Sequence, residues 1–379
     1  MTGGLVQVPA ARASQAAGPV RLGHQPALDG LRACAVLAVM AYHSTSSPLP
    51  GGYLGVDVFF ALSGFLITSV VISEWERFGA VDVRDFLRRR ALRIMPALLL
   101  LAVPLTGYTL VARASNPEAV RVVDRALVAM LTFSSNWFEA ASPDTLHMYT
   151  PVWSLAVEVQ FYLTWPLLLV WLLRRGCSRA RILSVTVALI AASVTTCAVL
   201  LATGASHARV YYGSDTRASE LLLGALAGLL TMWRAWPAVP WWPLVRRTVA
   251  VATAVGLAAF AALSHPTHSA VVDVVGLPLA AAGAAVLVSD LLASGGGPLG
   301  RLLRWRPLVE VGLLSYALFL WHTPLYALVS PQRFGVSGPV SAGLSLLLPF
   351  VVAALSYHFV EAPVLRRTRR PHREVVHSE

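Results

Sequence analysis

Arg32 and His43 are the first residues whose types and spacing could do chemistry, because both lie in a stretch otherwise apolar enough to cross a bilayer. At about 100° and about 1.5 Å per residue, a helix places them on one face roughly 16 Å apart. A charged residue at the centre of a membrane helix costs about 2.5–3.5 kcal/mol, so an intramembrane arginine is a functional hypothesis by default. Two carboxylates are expected near the depth of His43: Asp57 in GVDVFFALSGF and Glu158 in WSLAVEVQFY. A neutral imidazole, with an ordinary pKa of about 6.5, can take a proton from a hydroxyl, and a carboxylate can orient the ring and stabilise its cation. Glu158 is the favoured partner and Asp57 the second; the bland alternative for Glu158 is a hydrogen bond tying two helices.

The most basic stretch is DFLRRRALRIMP, residues 85–96. Its bland reading is a topology signal with arginines snorkelling toward headgroups. The sharper one is an anion site, since Arg90 and Arg93 at i, i+3 form a fork suited to phosphate oxygens, with Arg89 beside them.

Long apolar helices must position these groups. The 379 residues are 56% hydrophobic and 13% charged, with a mean hydropathy of +0.65, which excludes an ordinary soluble domain. The fold class expected is therefore all-α: a polytopic membrane bundle of about ten spans, at 28–46, 54–75, 95–113, 152–173, 182–203, 217–233, 247–264, 270–292, 308–329 and 339–361. A stretch at 122–138, opening on Arg121, Asp124 and Arg125 and holding Asn136, is expected as a lumenal or re-entrant helix. All thirty basic residues are arginine, and alternate loops divide them 23 to six, leaving out Arg32. The positive-inside rule then places both termini in the cytoplasm. The net charge of +11 is spread between apolar segments, so no nucleic-acid partner is implied.

Residues 1–25 read as a disordered cytoplasmic tail without a signal peptide, 26–364 as the membrane domain and 365–379 as a basic cytoplasmic tail. Cys34, Cys177 and Cys197 read as buried thiols, with neither disulfide nor metal implied. His265 and His268 share a short external turn but lack further ligands, so no metal is expected. His322, beside Pro324, either lines the cavity or packs by hydrogen bonds.

These motifs in this order resemble the acyltransferase-3 family of polytopic membrane O-acyltransferases, from about residue 25 to 363: LDGLRACAVLAVMAYHS, GVDVFFALSGFLI, FLRRRALRIMPAL, WSLAVEVQFY, TRASELLLGALAG, SYALFLWHTPL and FVEAP. The resemblance implies transfer of an acyl group, often acetyl, from cytoplasmic acyl-CoA as co-substrate to a hydroxyl of a sugar, lipid or glycosylated metabolite, with no tightly bound cofactor. Some members carry a fused SGNH-hydrolase-like domain, and this sequence is expected to stand without one. His43 becomes the catalytic residue, Arg32 its motif partner, and Arg90 and Arg93 the donor site. Trp153, Tyr162, Ser63, Arg217 and His322 are assigned to walls that hold substrate. Direct transfer and an acyl-histidine intermediate both remain open. The acceptor expected first is a glycosylated secondary metabolite, as for an antibiotic-tailoring enzyme, and next a cell-envelope polysaccharide or glycolipid; the protein is placed in the cytoplasmic membrane. A transporter with a buried charge pathway is the rival class, disfavoured because no internal repeat is visible.

Overall fold

The computed structural model describes residues 23–44, 47–112, 116–264, 269–329 and 338–368, and no strand occurs among them. The proposed tails, apart from 23–25 and 365–368, lie outside the described residues, as do Arg113, Arg333, His265 and His268.

Helix α1 (Pro26–His43) begins on a proline, whose missing N–H and fixed φ suit the first turn, and runs unbroken from Arg32 to His43. A tight turn at Gly52–Leu54 leads into α2 (Gly55–Phe78), which stops at Gly79, in the left-handed region at φ 68°, its N–H closing on the Trp75 carbonyl. α3 (Val83–Ala112) carries the basic stretch in its first turns. The 122–138 stretch is two helices, α4 (Pro117–Leu131) and α5 (Ser135–Ala141), broken at Phe133, a non-glycine residue with φ 52°. A turn at His147–Val152 then feeds α6 (Trp153–Arg174). α7 (Arg179–Ala202), N-capped by Ser178, is followed by α8 (His207–Tyr212), α9 (Ser214–Met232) and α10 (Trp242–Leu263). After a π-helical turn at Val272–Gly276 come α11 (Leu277–Ser294), α12 (Gly297–Leu303), α13 (Arg306–Leu313) and α14 (Ser315–Leu328). α15 (Gly338–Ser356), a second π-helical turn at Tyr357–Glu361 and α16 (Ala362–Thr368) close the described chain.

Each of the ten expected segments falls on helix, but not as ten equal spans. Among the described residues seven helices are long and apolar enough to cross a membrane, and the pair α13 and α14, bent by 69°, passes the same test only when taken together, as a broken span or a re-entrant loop. The 308–329 segment is thus a broken helix rather than a straight one. The remaining two, α1 and α9, hold Asp29 and Arg32, and Asp215, Arg217 and Glu220. Outward faces carry large apolar side chains such as Val111, Leu244, Val255, Leu279 and Leu347, as a lipid-facing surface requires.

α2 is the central helix and packs on α1, α6, α9 and α11. Its seam with α9 is close because Gly64 faces the Leu221 carbonyl and Gly224 faces that of Ala61; a Cβ at either would collide with backbone. Two basic stretches meet near the end of α2: Arg89 and Arg179 reach Glu74 and Glu76, and the Arg179 guanidinium lies 5.5 Å from the Trp233 ring. The three cysteines are free, and Cys34 is exposed on α1, not buried as expected.

Candidate active site

Two cavities open between α1, α2, α6 and α14. The inner one, of about 860 Å³, is lined by Arg32 of α1, Phe59, Phe60 and Ser63 of α2, Arg90 and Arg93 of α3, Glu158 and Tyr162 of α6, and Ser315 and Tyr316 of α14. The outer basin, of about 1040 Å³, is lined by His43, by Tyr42, Tyr53, Trp153, Tyr211 and Tyr212, and by Asp144, His147 and Thr150 of the turn before α6. Val56 and Phe319 alone belong to both linings. Arg32 and His43 therefore face inward along one helix but open into different cavities.

The group on His43 is His322, not a carboxylate. His322 Nδ1 lies 2.8 Å from the Phe319 carbonyl and 3.1 Å from that of Leu318, and a carbonyl only accepts, so Nδ1 carries the proton. His322 Nε2 is then an acceptor, 3.2 Å from His43 Nδ1, which also lies 3.0 Å from the Val39 carbonyl. With two acceptors facing it, His43 Nδ1 must be the donor, which leaves the Nε2 lone pair with no protein partner among the described residues. Two backbone carbonyls thus fix the tautomer of a base two rings away. His322 is fully buried and lines neither cavity, so its assignment to a substrate wall is corrected to a place behind His43.

Neither expected carboxylate reaches that ring. Asp57 is fully buried and accepts from Arg217 at 2.7 Å, while Arg217 also pairs with Glu220 at 3.3 Å. Phe60, Trp153 and Tyr211 surround the same guanidinium with ring centroids 5.0–5.6 Å away. Arg217, expected on a substrate wall, is instead the buried cation that pins α9 to α2, and Asp57, expected as catalytic, is its counter-ion. Glu158 accepts hydrogen bonds from Ser63 and Tyr162 and so belongs to the inner cavity. The bland reading, an acid tying two helices, describes that contact.

The arginines divide likewise. Arg89 bonds Asp85 and Glu74 and does not line the cavity, which removes it from the expected donor set. Among the described residues, Arg32, Arg90 and Arg93 pair with no carboxylate. Arg90 lies over the Tyr162 and Phe86 rings at 5.5 and 5.7 Å, and Arg32 Nε is buried with no hydrogen-bond partner. Three cations line this cavity with one carboxylate, Glu158, and none of them forms an ion pair among the described residues, an excess of positive charge that suits an anionic ligand.

Of the basin's lining, Tyr42, Tyr53 and the outer turn escaped sequence reasoning. Glu139, fully buried on α5, accepts from the Asp144 and Leu146 amides at 2.8 and 2.7 Å and from the Thr150 hydroxyl at 3.2 Å, which knots the turn carrying Asp144, His147 and Thr150. Asn136 and Gln160 bond each other at 2.9 Å and hold Ser214, fastening α5 and α6 to the start of α9. The available signal was slight: polar residues inside apolar runs, and Tyr42 next to His43.

The family model described as "Acyltransferase domain" matches residues 25–358. The chain is 33% identical over 354 residues to the peptidoglycan O-acetyltransferase OatA of Listeria monocytogenes, covering 89% of this chain and 55% of that protein. It is 31% identical over 363 residues to the O-acetyltransferase OatA of Staphylococcus aureus, covering 90% of this chain and 57% of that one. It thus spans about half the length of the curated relatives it matches. No solved structure matches. With the family pattern running through nearly the whole helical bundle, the chain belongs to the acyltransferase-3 family of membrane O-acyltransferases.

Proposed function

We propose that this protein transfers an acetyl or other short acyl group from acyl-CoA to a hydroxyl of a cell-envelope polysaccharide, with His43 as general base. The observation that carries the reading is the segregation of the two cavities: three arginines that form no ion pair, against a single carboxylate, line one, and a free imidazole nitrogen with aromatic faces lines the other. Acyl-CoA brings phosphates that suit Arg32, Arg90 and Arg93, and the positive-inside rule supports an orientation with that end toward the cytoplasm, where the donor is found. Aromatic rings present apolar faces with polar tips, which suits a sugar acceptor. The relatives' names favour an envelope polysaccharide such as peptidoglycan over the glycosylated metabolite first expected from composition. The multi-pass bundle would then sit in the cytoplasmic membrane.

In the chemical step the acceptor oxygen attacks the thioester carbonyl as its proton passes to His43 Nε2. The C–O bond forms, the C–S bond breaks, and the departing thiolate takes the proton back from the imidazolium. His322 Nε2, accepting from His43 Nδ1–H, holds the ring and supports its positive charge as an orienting acid would. The inner wall of Ser63, Glu158 and Tyr162 shapes the donor's path.

Purified protein in lipid nanodiscs, given acetyl-labelled acetyl-CoA and peptidoglycan glycan strands, is expected to place base-labile acetate on the glycan. Acetate on a glycosylated small metabolite but never on glycan would refute the acceptor class; no transfer to any hydroxyl would refute the reaction.

A further inference from the structure

Among the described residues the two cavities share only Val56 and Phe319, and three elements order their linings by depth in the same way. Along α2 and the turn before it, Tyr53 lines the basin alone, Val56 lines both cavities, and Phe59, Phe60 and Ser63 line the inner cavity alone. Along α14, running the other way, Ser315 and Tyr316 line the inner cavity, Phe319 both, and Thr323 the basin. α6 agrees, with Trp153 on the basin and Ser154, Leu155, Glu158 and Tyr162 inside. The steps 53, 56, 59 and 63 along α2 and its preceding turn, 316, 319 and 323 along α14, and 155, 158 and 162 along α6 are of three and four residues, which keeps them on one helix face.

From this juxtaposition we infer that Val56 and Phe319 form the passage through which the acyl group reaches the base, and that their side chains select short acyl chains. The inference rests on the proposed donor side. The arginines lie on one side of the pair and His43 on the other, so a thioester anchored by its phosphates brings its carbonyl to the basin only past these two residues. Phe319 is held in place: its ring lies 6.5 Å from that of Phe59 and 5.8 Å from that of His322, and its carbonyl accepts from His322 Nδ1. Val56 is buried, 5% exposed, on the facing helix. Each methylene added to the acyl chain must therefore fit against a fixed aromatic ring. The bonds made and broken, C–O for C–S with the proton passing through His43 Nε2 to the thiolate, are the same for every chain length, so discrimination between acyl groups reports fit alone.

The test uses the full chain in nanodiscs with acetyl-, propionyl- and butyryl-CoA and one glycan acceptor, comparing kcat/KM for the unaltered protein, Phe319→Ala and Val56→Ala. The unaltered protein is expected to prefer acetyl. Each variant is expected to raise the butyryl-to-acetyl ratio by about tenfold or more, the effect typical of one methylene in an apolar site. Looser packing on His322 in Phe319→Ala would slow all three donors together and leave the ratio unmoved, and Val56→Ala approaches the passage from the opposite helix. Acetyl transfer with unchanged ratios in both variants overturns the passage while leaving the acyltransferase reading intact. No transfer from any donor by the unaltered protein removes that reading and the passage together.

Discussion

The bundle buries arginine in two ways. At the α2–α9 seam, Arg217 is 1% exposed, paired with Asp57 and Glu220, and surrounded by three aromatic rings. At the inner cavity Arg32, Arg90 and Arg93 have walls but no carboxylate partners among the described residues. A cation ion-paired within the protein fastens helices, whereas one that lines a cavity without an ion pair has charge left for the anionic donor proposed above. The same distinction separates the acids and bases: Asp57 is spent on Arg217, while His43 keeps one nitrogen free.

The largest effect should come from breaking the satisfied cluster. Arg217→Gln strands the Asp57 carboxylate in the interior and is expected to cost about 3–5 kcal/mol of stability. Thermal unfolding in detergent should show the loss even with saturating donor. His322→Leu removes the acceptor that holds His43 Nδ1–H, and kcat should fall by about 10²-fold with donor KM unchanged. His322→Gln, whose amide oxygen can accept the same hydrogen bond, should restore part of the rate, an outcome that a merely structural role for His322 does not give. Arg93→Gln removes a cavity cation without an ion pair; stability should hold while acyl-CoA affinity drops by about 1.5–3 kcal/mol, read by donor titration. The smallest change belongs to Arg89→Gln: a partly exposed arginine already paired with Asp85 and Glu74 should move stability by less than about 1 kcal/mol and leave donor affinity alone. Equal effects of Arg93→Gln and Arg89→Gln on donor affinity would erase the distinction between paired and unpaired arginines.

Much of the architecture was legible because membrane helices announce themselves by apolar length, and the resemblance supplied an order for the motifs. Helical periodicity set Arg32 and His43 on one inward face, and Arg90 and Arg93 on another. Depth, however, says nothing of which neighbour a side chain meets. Asp57 and Glu158 were placed near His43 in depth, yet the close glycine seam turns Asp57 to α9, and Ser63 and Tyr162 take Glu158 into the inner cavity. Arg217 was assigned to a substrate wall because its main partner, Asp57, lies 160 residues upstream, a pairing that only tertiary structure shows. The 69° bend between α13 and α14 was hidden within a continuous apolar run, where Gly312 alone is a weak signal. There Gly312 lies against the backbone of Asp29 on α1, so packing, not local propensity, sets the break.

Acceptor-dependent thiol release by His43→Ala, measured at saturating acyl-CoA with donor binding checked on the same sample, bears most directly on the assignment of the base. Unchanged donor binding with thiol release slowed by about 10²-fold or more is the predicted result. Release at the unaltered rate would contradict it and leave the imidazole in the basin without a part in the reaction.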